Sequence, residues 1–415
     1  MVKPAVSLET LPLPDPAAAT HSARLLDHLR SDIAKAGGAI SFARFMDLAL
    51  YAPGLGYYRA GVRKFGTGGD FVTAPELSPL FARCLARQCQ EILHALGGGE
   101  ILELGAGTGI MAAELLLELR ALDAPPERYA ILELSGELRE RQRQTLADRA
   151  PELLERVVWL DTPPTPGFRG VVLGNEVLDA LPVERFHITA HGPRRLMVTW
   201  TEAGLNWAEG EEDPMVTATV ARLEADLGWR LPEGYCSEYV PHLENWLRAI
   251  VEPLATGALL FVDYGYPRRE YYHPERAMGT LLCHYRHRVH DDPLILPGLQ
   301  DITASVDFTA VADAAVAAGL EVAGYASQSH FLFGCGLMEL LADQIPPKPP
   351  LEKGGGEAGR ISNVTDSIRY LERVRQVKLL TLPGEMGDRF QAIALTRNLT
   401  IPLRGFAFRD ESGRL

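Results

Sequence analysis

A doubly wound α/β protein built on a parallel sheet is predicted here by three observations. Short apolar strands alternate with helix-patterned runs from Glu100 onward. The first of those strands, Ile101-Leu102-Glu103-Leu104, enters a bend of Gly105, Gly107 and Gly109 before a helical pattern opens. The 415 residues are 47% apolar and 23% charged, ordinary values for one elaborated domain or two packed ones. These values exclude wholesale disorder, collagen-like repetition and a coiled coil.

Taken in order, residues 1–20 form an expected disordered lead-in. Ala23, Leu25, Leu26, Leu29, Ile33 and Ala34 predict a helix over His21–Lys35, stopped by Gly37-Gly38. Ser41 is placed to N-cap a second helix through Phe42, Phe45, Met46 and Ala49. Tyr51 to Asp70 is an aromatic, glycine-rich stretch, of a length usual for functional or mobile loops. Tyr129–Leu132, Val157–Leu160, Val171–Leu173 and Ala258–Val262 complete five strands, with helices over Met111–Leu119 and Leu138–Leu146. A sheet of this kind takes its ligand at the carboxyl ends of the strands.

Roughly eighty residues separate the fourth and fifth strands, far more than a crossover needs. Within them Phe186–Ile188 and Leu196–Trp200 predict an antiparallel excursion, and Val216–Leu227 and Leu243–Val251 predict helices. The expected organisation is N-terminal helices with a site loop (21–98) and a Rossmann-like core (99–183 and 256–340). An α+β cap facing the substrate is inserted at 184–255. A low-complexity linker, expected to be mobile, spans 345–359, and a C-terminal segment (360–415) completes the core.

Charge narrows the function. With 41 Lys+Arg against 54 Asp+Glu the net charge is −13, which argues against broad nucleic-acid binding and favours a cationic substrate or a basic peptide. The five cysteines contain no CxxC pair, so neither a disulfide scaffold nor a zinc knuckle is expected. No apolar run is long enough to span a bilayer, and no membrane insertion is expected. The first twenty residues hold one basic residue, Lys3, and resemble neither a secretory signal nor an Arg-rich presequence. A cytoplasmic location is the resulting expectation.

The most informative segment is Leu102 to Gly109. A bend of this kind needs glycine because it is tight and a ligand approaches bare backbone. A dinucleotide fingerprint requires Gly or Ala where Ile110 stands, and has no need of Glu103. An acid there suits a ligand with a cationic amino-acid head, as S-adenosyl-L-methionine (AdoMet) has. A nicotinamide or flavin nucleotide and a purely structural turn are the other readings.

Glu133, ending the second strand, has the place of an acceptor for two ribose hydroxyls, or of a solvated strand-end acid. Asp161, after the third, suits an adenine amine or a turn before Pro163-Pro164. After the fourth come Asn175, Glu176 and Asp179; on a helical turn the two acids share a face. The plainer alternative is an N-cap with dipole-favoured acids. The Gly69–Ser78 segment enters a helix and is structural on composition alone, although Asp70 and Glu76 are placed to close the site. Asp263 and Tyr264 follow the fifth strand and line the same edge. His284, His287 and His290 are interleaved with Arg286 and Arg288, which repel a cation, so no metal is expected.

In these blocks the chain resembles the MidA-like class I methyltransferases, a family that includes the mitochondrial complex I assembly-factor protein arginine methyltransferase. The resemblance begins with Phe45-Met46 to Tyr57-Tyr58 and Gly69-Asp70-Phe71-Val72-Thr73-Ala74-Pro75-Glu76, and continues through Leu102 to Gly109 and Glu133-Leu134-Ser135. Asn175-Glu176 to Val183, Phe261 to Gly265, Asp301 to Thr303 and Val306 to Phe308 complete it. Ala74 and Pro79 stand where Ser and Gln are more usual.

The resemblance implies a class I methyltransferase fold with AdoMet on Gly105, Gly107, Gly109 and Glu133, beside Glu103, Ala106, Asp161 and Asn175. Glu176, Asp179 and Asn175 become the catalytic candidates, and Asp70, Thr73, Pro75, Glu76, Asp263 and Tyr264 the substrate-facing ones. It implies symmetric dimethylation of an arginine in a protein partner, a respiratory complex I subunit or one like it. A small-molecule N- or O-methyltransferase and an AdoMet-binding assembly chaperone are the alternatives.

Overall fold

The structure, a computed structural model, describes residues 11–60, 72–342 and 371–415. The expected mobile linker at 345–359 lies outside them, as does Asp70.

Helices α1 (Pro16–Lys35) and α2 (Phe42–Tyr51) precede α3 (Pro79–Leu96), α4 (Ile110–Ala121), α5 (Gly136–Arg149), α6 (Pro214–Leu227), α7 (Leu243–Val251) and α8 (Phe308–Ala317). The central strands are β1 (Glu100–Leu104), β2 (Tyr129–Leu132), β3 (Val157–Leu160), β4 (Phe168–Asn175), β5 (Leu254–Tyr266), β6 (Glu321–Ser327) and β7 (Phe390–Arg397). They lie in the order β6-β7-β5-β4-β1-β2-β3, and Val306–Asp307 adds a short parallel strand beside β5. The pairs β1–β2, β2–β3, β1–β4 and β4–β5 are parallel, and β7 runs antiparallel between β5 and β6. The strand order reverses between β1 and β4, which opens a crevice at their carboxyl ends.

Alternation along the strands builds a core on each face of this sheet. Ile101, Val171, Leu173, Ala258, Leu260 and Val262 pack with α3 and α4 on one side. Leu102, Leu104, Val172, Leu259 and Phe261 pack with α7 and α8 on the other. Burial on both faces is why these strands are almost wholly apolar.

A second sheet has five antiparallel strands. Its strands Glu184–Thr189, Gly192–Thr201, Gly204–Glu209 and Cys236–Tyr239 come from the long excursion. The fifth, Ala39–Ser41, comes from the N-terminal region and pairs Ile40 with Val198. Ser41 caps α2 by accepting from the Arg44 N–H at 3.2 Å. The lead-in is shorter than expected: Asp15 accepts from the Ala17 and Ala18 N–H groups, so α1 begins at Pro16 rather than His21. A small third sheet, Leu282–Tyr285, Arg288–His290 and Asp301–Thr303, packs Cys283 and Ile302 against α2.

Candidate active site

A cleft of about 1650 Å³ opens at the carboxyl ends of β1, β2, β4 and β5. Its floor is the glycine bend. Gly105, Gly107 and Gly109 take φ of +61°, +52° and +81°, left-handed values, and the first two bring bare backbone, with Ala106, to the cleft. At Gly109 a Cβ would also stand 3.0 Å from the Gln142 backbone of α5. Glu103 precedes the bend and is 1% exposed. The Tyr129 hydroxyl donates to it at 2.7 Å, and burial pushes its carboxyl up to about 7.

Glu133 ends β2 on the same wall and is also buried. Its Oε1 accepts from the Ser135 N–H at 2.8 Å and its Oε2 from the Gln142 amide at 3.2 Å. Burial raises its pKa against those two donors. Asp161 is also at the cleft, but its carboxylate is paired with Arg139 at 2.6 Å and its side chain is 83% exposed.

The opposite wall is acidic. Asn175 closes β4, and its amide donates to Glu176 Oε1 at 3.0 Å. Glu176 has φ +52°, a left-handed conformation that costs about 1 kcal/mol or more outside glycine. The backbone from Glu176 to Asp179 is an irregular turn, not the helical turn that the i, i+3 spacing predicts. The reason is Asp263 at the end of β5: its Oδ2 accepts from the N–H groups of Val177, Leu178 and Asp179 at 3.0, 2.8 and 3.3 Å. Its Oδ1 accepts from the Tyr264 N–H at 2.9 Å. Asp263, expected to face the substrate, therefore points its bonds into the backbone and shapes the turn.

Three carboxyls thus meet at the edge of the cleft. Burial and the Asp179 charge push Glu176 up to about 8, and burial pushes Asp179 up to about 6. Asp263 is driven upward by burial and by the same two neighbours, against the N–H groups that hold it as an anion. Asn175 Oδ1 is buried, lines the cleft and has no hydrogen-bond partner among the described residues, while the buried Tyr264 hydroxyl faces Asp179 and Thr303.

The Thr73–Glu76 segment reaches both walls. Thr73 and Pro75 line the cleft, the Ala74 N–H faces the Glu176 carboxyl and favours its charged form, and Glu76 accepts from the Thr108 hydroxyl of the glycine bend. Composition alone makes this loop structural; its contacts join the two halves of the site. Tyr51, Tyr58 and Asp301 also line the cleft, although sequence reasoning did not place them there. Tyr51 donates to the Ala180 carbonyl at 2.9 Å, Tyr58 donates to Asp301 at 2.8 Å, and the two rings stack 5.5 Å apart. Two tyrosines seven residues apart beside a glycine-rich stretch were the available signal.

The histidine run lies on a β-hairpin of the small sheet, with Cys283 opposite His290 and His284 opposite Val289. Burial pushes His284 down to about 4. Among the described residues, no group of three or more His, Cys, Asp or Glu is placed to hold a metal ion.

Comparison with known proteins fits this geometry. A family model described as "Putative S-adenosyl-L-methionine-dependent methyltransferase" matches residues 84–326. A Burkholderia thailandensis protein solved with S-adenosyl-homocysteine bound is 44% identical, with a TM-score of 0.89, covering 98% of this chain and all of that one. "Protein arginine methyltransferase NDUFAF7, mitochondrial" is 28% identical in Rattus norvegicus (92% of this chain, 86% of the relative) and 27% identical in Danio rerio (92% and 88%). The mitochondrial names of these relatives overturn the expected cytoplasmic location. Free cysteines suit any reducing compartment and do not distinguish the two locations. No described helix is long and apolar enough to cross a membrane.

The cofactor that the family uses suits the residues present. Two left-handed glycines at the cleft, Gly105 and Gly107, leave room for it, a buried carboxylate follows β2, and Asn175 Oδ1 stands unpartnered at the end of β4. With its class I order of strands and its glycine bend between two acids, the chain belongs to the S-adenosyl-L-methionine-dependent methyltransferase family.

Proposed function

We propose that the chain methylates an arginine side chain of a protein substrate, with Glu176 and Asp179 holding the guanidinium. One observation carries this reading: Asn175 Oδ1, a buried acceptor without a donor, shares a cleft with two carboxyls raised to about 8 and about 6. Such a wall lacks a cation that brings donors. Guanidinium has five N–H donors, no acceptor and a charge it keeps at any physiological pH.

When bound, AdoMet supplies an electrophilic methyl group on a sulfonium. Gly105 and Gly107 would hold it by bare backbone with Gly109 setting the bend, Glu133 would accept from its ribose hydroxyls, and Glu103 would supply negative charge for its ammonium. Asp161 remains the adenine-side acid in this reading, shared with Arg139. Glu176 and Asp179, gripping one edge of the guanidinium, draw positive charge toward that edge and leave electron density on the nitrogen that attacks. A dication of sulfonium plus guanidinium becomes a methylguanidinium cation and a neutral thioether, so one proton leaves. A carboxylate of this wall is placed to take it. Thr73, Pro75 and Glu76 close the site from the side, and Tyr264 offers its hydroxyl to the substrate.

The relatives' name as protein arginine methyltransferases supports a protein target. The finer reading is symmetric dimethylation of a respiratory complex I subunit or a protein like it. The test is to incubate the purified chain with methyl-labelled AdoMet and an extract of cells lacking it. Label in a protein band, recovered as dimethylarginine by mass spectrometry, is expected; label confined to small molecules or absent altogether overturns the reading.

A further inference from the structure

Gln142 makes a contact to each part of the cofactor wall and is used by nothing described so far. It sits on α5, fully buried, away from the acidic wall. Its amide nitrogen donates to the Gly107 carbonyl at 3.1 Å and to Glu133 Oε2 at 3.2 Å. Its amide oxygen accepts from the Trp159 indole N–H of β3 at 2.9 Å. The Trp159 bond fixes which end of the amide points to the cleft, because an indole nitrogen only donates. The close approach of Gly109 to the Gln142 backbone locks the same helix turn against the bend.

We infer that Gln142 is the positioning residue of the cofactor site, holding the glycine bend and the Glu133 carboxylate at a fixed separation. The inference rests on the reading that Glu133 takes the ribose. Two acceptors, a carbonyl and a carboxylate, repel each other across the gap unless a donor stands between them. A carboxamide is the neutral side chain that can give both of them a hydrogen while accepting from a third group. A charged donor such as lysine satisfies both acceptors but neutralises Glu133, weakening it as an acceptor for hydroxyls. Gln142 keeps Glu133 oriented and leaves its charge intact.

The test compares three variants by calorimetric titration with AdoMet and S-adenosyl-homocysteine, and by turnover at saturating AdoMet. Gln142→Glu keeps shape and the Trp159 bond but loses the donor at neutral pH. It should weaken both ligands by about tenfold or more, the scale of a lost hydrogen bond to a charged group. Turnover at saturation should stay within about twofold of the wild type, a split that general loosening of the fold does not produce.

The pH dependence separates position from packing. On acidification the introduced carboxyl gains a proton and becomes a donor again, so affinity in Gln142→Glu should improve as pH falls from 8 to 6. In the wild type it should not, because Glu103 and Glu133, the two buried carboxyls of this wall, both lose charge that favours the cofactor when they gain a proton. Gln142→Met, which has no donor at any pH, should weaken both ligands without this recovery. Glu133→Gln serves as the control. If it weakens binding while both Gln142 variants bind normally, the role of Gln142 is overturned alone; if none of the three changes affinity, the ribose reading falls too.

Discussion

Asp263 Oδ2 accepts the Leu178 N–H at 2.8 Å across 85 residues of sequence, and with Val177 and Asp179 this makes one side chain the scaffold of the acidic turn. The same residue accepts from Tyr264 on its other oxygen, so all of its hydrogen-bonding capacity that the fold uses goes to backbone. Asp263→Asn replaces one acceptor oxygen by a donor and sets an NH2 group against an N–H. The expected cost in folding stability is about 1–3 kcal/mol, read by urea denaturation. Methyl transfer should fall at least tenfold while AdoMet affinity holds, because the turn lies on the substrate side of the cleft. Wild-type turnover in a folded Asp263→Asn protein would show that the turn needs no such scaffold.

Glu176 should trade stability for activity. Its carboxyl is raised to about 8 in the folded chain, so its ionised form disfavours folding. The sign follows from linkage: the penalty is absent below the ordinary Glu value, grows as pH rises, and is complete above about 8. Glu176→Gln removes it and should stabilise the ligand-free protein at pH 8.5 by a few kcal/mol at most, with the gain vanishing near pH 4.5. Turnover should drop about tenfold or more with AdoMet binding retained. Thermal denaturation at the two pH values, with a parallel activity assay, measures both halves. An equal shift in melting temperature at both pH values counts against a buried, raised carboxyl.

The rate itself should follow the same ionisations. A protonated Glu176 or Asp179 cannot hold a cation, and in the free enzyme they are raised to about 8 and about 6. The ratio kcat/KM for an arginine substrate should therefore climb between pH 6 and 8 and level off above. Bound guanidinium lowers both pKa values, so the kcat profile should turn at a lower pH than the kcat/KM profile. A kcat/KM that stays flat from pH 6 to 9 would remove these acids from substrate binding.

Local signals were legible in the sequence and long-range ones were not. Glu103, the glycine bend and Glu133 can be read because strand, turn and strand end are neighbours in the chain. The turn at Glu176–Asp179 takes its shape from Asp263 on another strand, so an i, i+3 helical spacing was the wrong guide. Strand β7 pairs with β6 on one side and, across a long sequence separation, with β5 on the other, antiparallel to both. The histidine hairpin has strands of four and three residues, too few for a period of two to show. Asp301 reaches the cleft only because that small sheet packs against α2, a contact with no local trace.

That packing leads to a last prediction, at Tyr58. Its hydroxyl donates to Asp301 Oδ1 at 2.8 Å, and Asp301 is 2% exposed. Its ring stacks on Tyr51, whose own hydroxyl holds the Ala180 carbonyl just after Asp179. Tyr58→Phe keeps the stack but takes a donor from a buried carboxylate, at a cost on the order of 1–3 kcal/mol. The loss falls at the substrate end of the cleft rather than at the glycine bend. The expected result is a KM for the arginine substrate raised about tenfold, with the dissociation constant for AdoMet within twofold of the wild type. Tyr51→Phe should act instead through the Ala180 carbonyl, lowering kcat more than it raises KM, because that bond positions the acids and not the substrate. Steady-state kinetics on the two variants side by side measures the contrast, and identical effects on kcat and KM in both would mean that the aromatic pair acts only as packing.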